Sequence, residues 1–361
     1  MTESLILPAS EQLELISLAK RLLGDQLRSI APLLEDPDVL EIMINGHNNI
    51  FVEKNGRIEK SNLVLPEGSL IAAIKLIAKQ NRKEVRENGR ISEHLILDAE
   101  LPGLRIAAAL PPISYFGPVM AIRKHGRHVR TLDDYVNDGS FNPFYEDTGE
   151  ILTARPADHL VSQGGIHLKN SLEWMRDTHQ NIVISGATSS GKTTFLNAYL
   201  QGLSPYERIL TIEDTKELQI KVPNWVALVS NQALGVDTHL LLRLCLRMRP
   251  DRIVVGEVRG AEACDLMDAL STGHSGGAVS LHSENAHSAL SRLENMMRKS
   301  PDMRNTPIEV IREQIAQTIN FVVHASRRGG KRAPEEVIEI LGCEHGKYIT
   351  KTLFKKQRIS T

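Results

Sequence analysis

Asn181-Ile182-Val183-Ile184-Ser185-Gly186-Ala187-Thr188-Ser189-Ser190-Gly191-Lys192-Thr193-Thr194 is the stretch that decides how this chain folds. Ile182-Val183-Ile184 is a short β-branched run of the kind that makes a buried strand. Gly186 to Thr193 then fits the pattern G-x-x-x-x-G-K-[ST], and a helix is expected to open at about Thr193. In that setting the backbone N–H groups of Gly186, Ala187, Thr188, Ser189, Ser190 and Gly191 cup phosphate oxygens. The helix start that follows adds roughly half a positive charge. Lys192 reaches the β- and γ-phosphates, Thr193 holds Mg2+ through its hydroxyl, and Thr194 completes the binding stretch. A Gly/Ser turn ahead of an ordinary helix is the plainer alternative, and the flanking strand and helix argue against it.

Working outward, further strands are expected at 209–212, 226–229, 253–255, 279–281 and 321–323, with helices between them. A helix at 168–178 precedes the phosphate loop, and a strand near 337–341 leads to a basic tail of Lys351, Lys355, Lys356 and Arg358. Short buried strands alternating with helices predict a mainly parallel sheet covered on both faces. Ligands of such sheets bind beyond the carboxyl ends of the strands. Glu213 and Asp214 follow one apolar run, Glu257 follows another, and His282 a third. Magnesium takes oxygen ligands and hydrolysis needs a carboxylate to orient water, so Glu213 and Glu257 are candidates for both roles. Asp214 reads equally well as a solvated turn or helix cap. His274 sits in a loop between helix and strand, as a candidate hydrogen-bond donor to a γ-phosphate or as a surface histidine. His282, taken alone, reads as structural.

The N-terminal part has a different texture. Residues 11–30 carry Leu15, Leu18, Leu22 and Leu23 at helical spacing. Strand-like runs at 39–44 and 50–52 end at Asn45-Gly46 and Asn55-Gly56, which are hairpin signals. A helix over 69–80 and strands at 95–97, 105–110 and 119–122 complete the expectation of an α+β domain spanning 1–126. Residues 127–155 are loop chemistry and read as a linker, and 156–361 as the second domain. At about 150 residues per domain, two domains suit the length.

Composition excludes several classes. Lys and Arg number 43 against 44 Asp and Glu, which argues against a whole-chain polyanion binder. Aromatics are 4% of the chain, too few for a stacking platform for single strands. Cys245, Cys264 and Cys343 are far apart, so neither a zinc ribbon nor a disulfide framework is expected, and a reducing cytoplasmic compartment fits. No apolar run approaches the ~20 residues needed to span a bilayer, and the start lacks the pattern of a signal peptide. Arg327-Arg328-Gly329-Gly330-Lys331-Arg332 reads as a solvated hairpin turn. This segment and the tail are the places where an acidic lipid surface or a partner would be touched. Direct DNA binding is not indicated by any recognition motif.

In order and spacing, the phosphate loop, Thr211-Ile212-Glu213-Asp214-Thr215, the run from Leu246 through Arg249-Pro250-Asp251-Arg252 to Gly256-Glu257-Val258-Arg259, Ser271-Thr272-Gly273-His274 and Leu281-His282 resemble the secretion ATPase superfamily. Its members power type II secretion, type IV pili and type IV secretion. The conjugation and type IV secretion branch matches best, and Glu41 to Gly46, Phe51-Val52-Glu53 and Ala121-Ile122-Arg123-Lys124 look like that branch too.

The resemblance implies an N-terminal α+β domain, a linker and a RecA-like P-loop domain, with nucleotide between the two domains. It implies a homo-hexameric ring using ATP and Mg2+. Lys192 and Thr193 belong to its Walker A motif, Glu213 to an acidic box that helps activate water, and Gly256-Glu257 to an atypical Walker B holding Mg2+ partly through water. His274 and His282 form its histidine box, and Arg105 and Arg123 match arginines that approach the terminal phosphates. Such arginines are worth orders of magnitude in rate when they neutralise transferring phosphate. Arg243, Arg247 and Arg249 either reach a neighbouring site or make structural ion pairs.

The implied setting is the cytoplasmic side of the inner membrane, with peripheral membrane contact. The implied partners are inner-membrane channel components and other secretion ATPases. Ser189 departs from the glycine common at its position, and His125 from a proline. The tetracysteine motif of the type II branch and the Ala-Ile-Arg-Asn-like helix of the retraction branch are missing from the sequence. The expected function is therefore Mg-dependent ATP hydrolysis that drives pilus assembly or substrate translocation in type IV secretion or conjugation. Alternatives are a type IV pilus or type II secretion motor, a P-loop kinase for a small molecule, and a nucleotide-gated docking protein.

Overall fold

The structure is a computed structural model that describes residues 23, 25–54, 56–124, 136, 154–328 and 331–357. It divides into two compact units. The first draws on Met1–Gly89, Glu93–Leu110 and Pro118–Thr153, the second on Arg90–Ser92, Pro111–Gly117 and Ala154–Thr361. The expected linker at 127–155 lies outside the described residues apart from 136 and 154–155.

The first unit is an antiparallel sheet of β1 (Val39–Ile44), β2 (Ile50–Lys54), β3 (Arg57–Ser61), β4 (Ile96–Leu101), β5 (Leu104–Ala109) and β6 (Val119–Lys124), in the order β3-β2-β1-β6-β5-β4. Helices α1 (Ala31–Glu35) and α2 (Ser69–Gln80) accompany it. Helix α2 buries Leu70, Ala73, Ile74 and Ile77, a single stripe at helical spacing. Leu and Ile side chains of this kind are each worth about 1.5–3 kcal/mol when fully buried. Of the helix expected over 11–30, residues 11–22 lie outside the described residues. Asp25–Ile30 forms a 3-10 helix rather than α-helix. Pro32 has no N–H to donate to an earlier turn, so a continuous α-helix cannot run through it and α1 starts afresh there. Across the sheet, Ile42, Ile122 and Ile106 form one buried row. One residue along each strand, Glu41, Arg123 and Arg105 form the adjacent row. Successive side chains alternate faces, so the two arginines are neighbours on the face opposite the isoleucines.

The second unit contains α3 (Asp158–Val161), α4 (Gly165–Asp177), β7 (Ile182–Ser185), α5 (Lys192–Leu200), β8 (Ile209–Glu213), β9 (Trp225–Val229), α6 (Thr238–Cys245) and β10 (Arg252–Val255). It continues with α7 (Glu262–Ser271), β11 (Ala278–Leu281), α8 (Ala286–Met297), α9 (Ile308–Thr318), β12 (Phe321–Arg328), β13 (Lys331–Glu344) and β14 (Lys347–Lys355). The sheet order is β14-β13-β12-β7-β11-β10-β8-β9. Strands β12 through β9 in that order are mutually parallel, while β13 and β14 extend one side as antiparallel strands. The fold is thus α/β with a mainly parallel sheet, as expected. Its core is aliphatic: Ile182, Ile184, Leu196, Val254 and Val323 are fully buried. Pro111–Gly117 joins this unit by pairing with β9, Val229 N donating to Ile113 O at 2.8 Å and Tyr115 N to Ala227 O at 2.9 Å.

The reading of the chain end as a solvated basic tail is corrected. Lys351 and Lys355 belong to β14, where Lys355 Nζ donates to Glu336 Oε1 at 2.8 Å and Lys351 pairs with Asp158. Lys351 and Lys355 are exposed there while Leu353 and Phe354 between them are buried against the core, which makes the segment an edge strand rather than a tail.

Candidate functional site

All six parallel strands end at one edge of the sheet, and β7 delivers the phosphate loop there. Three residues of that loop take positive φ: Gly186 at 155°, Ser189 at 62° and Gly191 at 93°. Only glycine adopts such angles readily, and serine at Ser189 carries the departure noted in the sequence. An added Cβ at Gly186 would lie 2.3 Å from the Ala325 carbonyl oxygen and 2.4 Å from Ser190 Oγ. Glycine is therefore required there by close backbone approach. The Ser190 hydroxyl is buried with no hydrogen-bond partner among the described residues. Helix α5 begins at Lys192, so its first N–H groups, which no helix can satisfy internally, face the loop.

Lys192 is 8% exposed and curls over the loop. Its Nζ donates to Gly186 O and Ala187 O, both at 3.1 Å, and to His282 Nδ1 at 3.3 Å. Because Nδ1 accepts from an ammonium, the imidazole proton resides on Nε2. That nitrogen faces Glu257 Oε1 at 3.1 Å. A continuous chain, Lys192–His282–Glu257, thus joins the start of α5 to the ends of two parallel strands, β11 and β10. Burial holds the Lys192 ammonium below its ordinary value, with the charge of Glu257 opposing the shift. Glu257 is held below the usual carboxylate range, first by the hydrogen bond from Arg259, Nη2 to Oε2 at 2.8 Å, and further by the charges of Arg259 and Lys192. Arg259 also pairs with Asp214 at 3.0 Å, and Ser230 Oγ donates to the other oxygen of Asp214 at 2.6 Å.

Glu213 ends β8 and is 5% exposed. Its Oε1 accepts from the backbone N–H groups of Glu217 and Leu218 at 2.8 and 2.7 Å. Its Oε2 is buried without a hydrogen-bond partner among the described residues. One half of this carboxylate shapes the following turn and the other half keeps its hydrogen-bonding capacity unused. An added Cβ at Gly256 would come within 3.1 Å of Glu213 Cγ, so Glu213 packs directly against the strand end that carries Glu257.

A metal bound only by protein is not supported: among the described residues no group of three or more His, Cys, Asp or Glu is placed to hold one. A hydroxyl at Thr193, ionised Glu257 and the free oxygen of Glu213 instead suit Mg2+, which keeps waters and takes its other ligands from phosphate.

The structure separates the two box histidines. His282 follows β11, at the loop edge. His274 precedes β11, and its Nδ1 lies 3.2 Å from the carbonyl of Pro250, ahead of β10. Since β10, β11 and β7 run parallel, His274 is at the opposite edge of the sheet from the phosphate loop, and the expected hydrogen bond from it to a γ-phosphate of its own chain is corrected.

Arg105 and Arg123 lie in the first unit. Arg123 Nε donates to buried Glu41 Oε2 at 2.9 Å, and Arg105 Nε is 3.8 Å from Asp98 Oδ1. Arg249 makes an ion pair with Asp251, the structural one of the two readings. Arg259 was not singled out in the sequence. Its position two residues beyond Glu257 was the available signal.

A model of the family described as type II/IV secretion system protein matches residues 161–353. The conjugal transfer protein TrbB of Rhizobium radiobacter is 34% identical over 333 residues, covering 91% of each chain. The type IV secretion system protein VirB11 of Brucella suis is 30% identical over 318 residues, covering 82% of this chain and 84% of the relative. The crystal structure of that VirB11 ATPase in complex with sulphate superposes with a TM-score of 0.78 at 28% identity, over 91% of this chain and 96% of the other. With the phosphate loop, the Glu257 strand end and His282 all in the matched region, the chain belongs to the type II/IV secretion ATPase superfamily, in its conjugation and type IV secretion branch.

Proposed function

We propose that this type IV secretion ATPase hydrolyses ATP at the edge where Lys192, His282 and Glu257 meet, and that hydrolysis works a ring of identical subunits in conjugation or secretion. The convergence of these three side chains, from the start of α5 and from the ends of β10 and β11, carries the reading. The Thr193 hydroxyl and, through water, Glu257 would hold Mg2+, which would supply positive charge to offset that developing on the phosphates. The loop N–H groups and Lys192 orient the phosphates. The free oxygen of Glu213 accepts a proton-bearing water and aims it in line. Arg259 keeps Glu257 ionised and fixes its direction. Arg105 and Arg123 are proposed to neutralise the terminal phosphates.

The ring is proposed as a homo-hexamer at the cytoplasmic face of the inner membrane, with channel proteins and other secretion ATPases as partners. Among the described residues no helix is long and apolar enough to cross a membrane. The test is ATP turnover per subunit over a protein concentration series, with sizing of the same samples. Turnover that needs Mg2+, climbs with assembly and vanishes in Lys192→Ala and Glu257→Gln is expected. Turnover that survives Lys192→Ala, or phosphoryl transfer to a small acceptor by monomers, would overturn it.

A further inference from the structure

The hairpin of β12 and β13 runs beside the phosphate loop, and its basic residues have no place in the site described so far. Strand β12 pairs with β7 up to His324 opposite Ser185. There β7 ends and turns into the loop, while β12 continues to Arg328 and β13 returns from Lys331. The two chains stay in contact past that point: the Ala325 carbonyl lies against Gly186. On the return strand Arg332 lies against Gly191, the residue immediately before Lys192. A Cβ added at Gly191 would be 2.9 Å from Arg332 Cβ, 3.3 Å from its Cδ and 3.6 Å from its Cγ. The whole aliphatic stem of Arg332 therefore rests on the loop, with the guanidinium beginning one bond beyond Cδ.

The charges around this contact are unbalanced. Register places Arg327 directly opposite Arg332, and Arg328 opposite Lys331. Arg328 is engaged by Glu335. Neither Arg327 nor Arg332 has a carboxylate partner among the described residues. Like charges directly opposite on a sheet are destabilising, and an anion between them removes the penalty. A guanidinium presents a planar fork suited to phosphate oxygens.

We propose that Arg332, backed by Arg327, is a binding residue for the α- and β-phosphates of the nucleotide, supplied by the same chain that supplies the loop. Loop N–H groups at this position cradle the α/β region, so Arg332 reads the diphosphate common to ATP and ADP rather than the γ-phosphate. This rests on the ATPase reading and adds a ligand outside the motifs that identify the family.

The test is equilibrium binding of ADP and of ATP, with Mg2+, to the full chain. Arg332→Met keeps the stem over Gly191 and removes the charge, with Arg332→Gln as a second variant should the first fail to fold. ADP and ATP affinities are expected to fall together by roughly 10- to 100-fold, the range for a charge-assisted hydrogen bond. The loss in turnover is expected in KM rather than kcat. Arg327→Met should lose less, and Arg328→Met, already neutralised by Glu335, should bind as wild type. Unchanged ADP affinity in both Arg332 variants overturns the proposal, as does loss of ATP with ADP retained. An equal loss in Arg328→Met also overturns it, because the effect would then be general charge. If wild type binds neither nucleotide, the ATPase reading itself fails. If wild type binds and Lys192→Ala does not, while Arg332→Met binds normally, only this inference falls.

Discussion

Gly186→Ala tests whether the loop is clamped by the neighbouring strand. The new methyl would lie 2.3 Å from the Ala325 carbonyl oxygen and 2.4 Å from Ser190 Oγ, so something must move by about 1 Å to restore contact distance. The serine can rotate, but the carbonyl belongs to β12, which is held between β7 and β13. Overpacking of this kind costs roughly 1–3 kcal/mol, and holding a residue with a side chain at a sparsely populated φ adds about 1–2 kcal/mol. The sum of about 2–5 kcal/mol corresponds to a fall in melting temperature of roughly 4–20 °C for a unit of about 200 residues. Scanning calorimetry reads that shift, and calorimetric titration reads the accompanying loss of nucleotide affinity. Gly273→Ala is the control, since φ there is +98° but nothing lies within 4 Å of the added methyl. It should lose only the backbone component, about 1–2 kcal/mol. A Gly186→Ala protein that melts and binds ATP like wild type would refute the clamp.

Three further outcomes follow from the site. Lys192 sits below its ordinary value because it is buried, and phosphates arriving beside it restore its charge. Nucleotide binding at alkaline pH should therefore take up protons, and affinity should fall as pH rises through the lysine's value in the complex. Titration in buffers of different ionisation enthalpy measures the uptake, and Lys192→Met showing the same uptake would sink the assignment. Glu257 is depressed chiefly by Arg259, so its carboxylate stays ionised until pH falls below the usual range. Arg259→Ala should shift the acid limb of the turnover profile to higher pH, and an unmoved limb would mean Arg259 does not govern Glu257. The histidines should part company: His282→Ala breaks the bridge between Lys192 and Glu257 and should cost roughly 10- to 100-fold in turnover. His274→Ala, at the far edge of the sheet, should bind ATP within about 2-fold of wild type, the spread of a surface change. Equal loss of ATP affinity in both would contradict their separation.

Local chemistry carried much of this molecule. The strand Ile182–Ser185, the glycines at Gly186 and Gly191 and the helix opening at Lys192 are contiguous, so their backbone preferences and spacing suffice to announce a phosphate loop. Period and turn signals likewise announced α2 and most strands of both units, because burial leaves its mark every two or every three to four residues; β3 and β14, short of buried residues, were not among them. Carboxylates at strand ends were legible for the same reason: each follows its own apolar run. What the sequence could not assign was which edge and which neighbour. His274 and His282 stand eight positions apart, and only the direction of β11 within the sheet puts one at the loop and the other at the opposite edge. The Lys192–His282–Glu257 chain, the packing of Glu213 against Gly256 and the seating of Arg332 on Gly191 all join residues far apart along the chain. No local preference encodes those meetings. They arise because sheet order brings β12, β7, β11 and β10 side by side, and that order is settled by burying one aliphatic core.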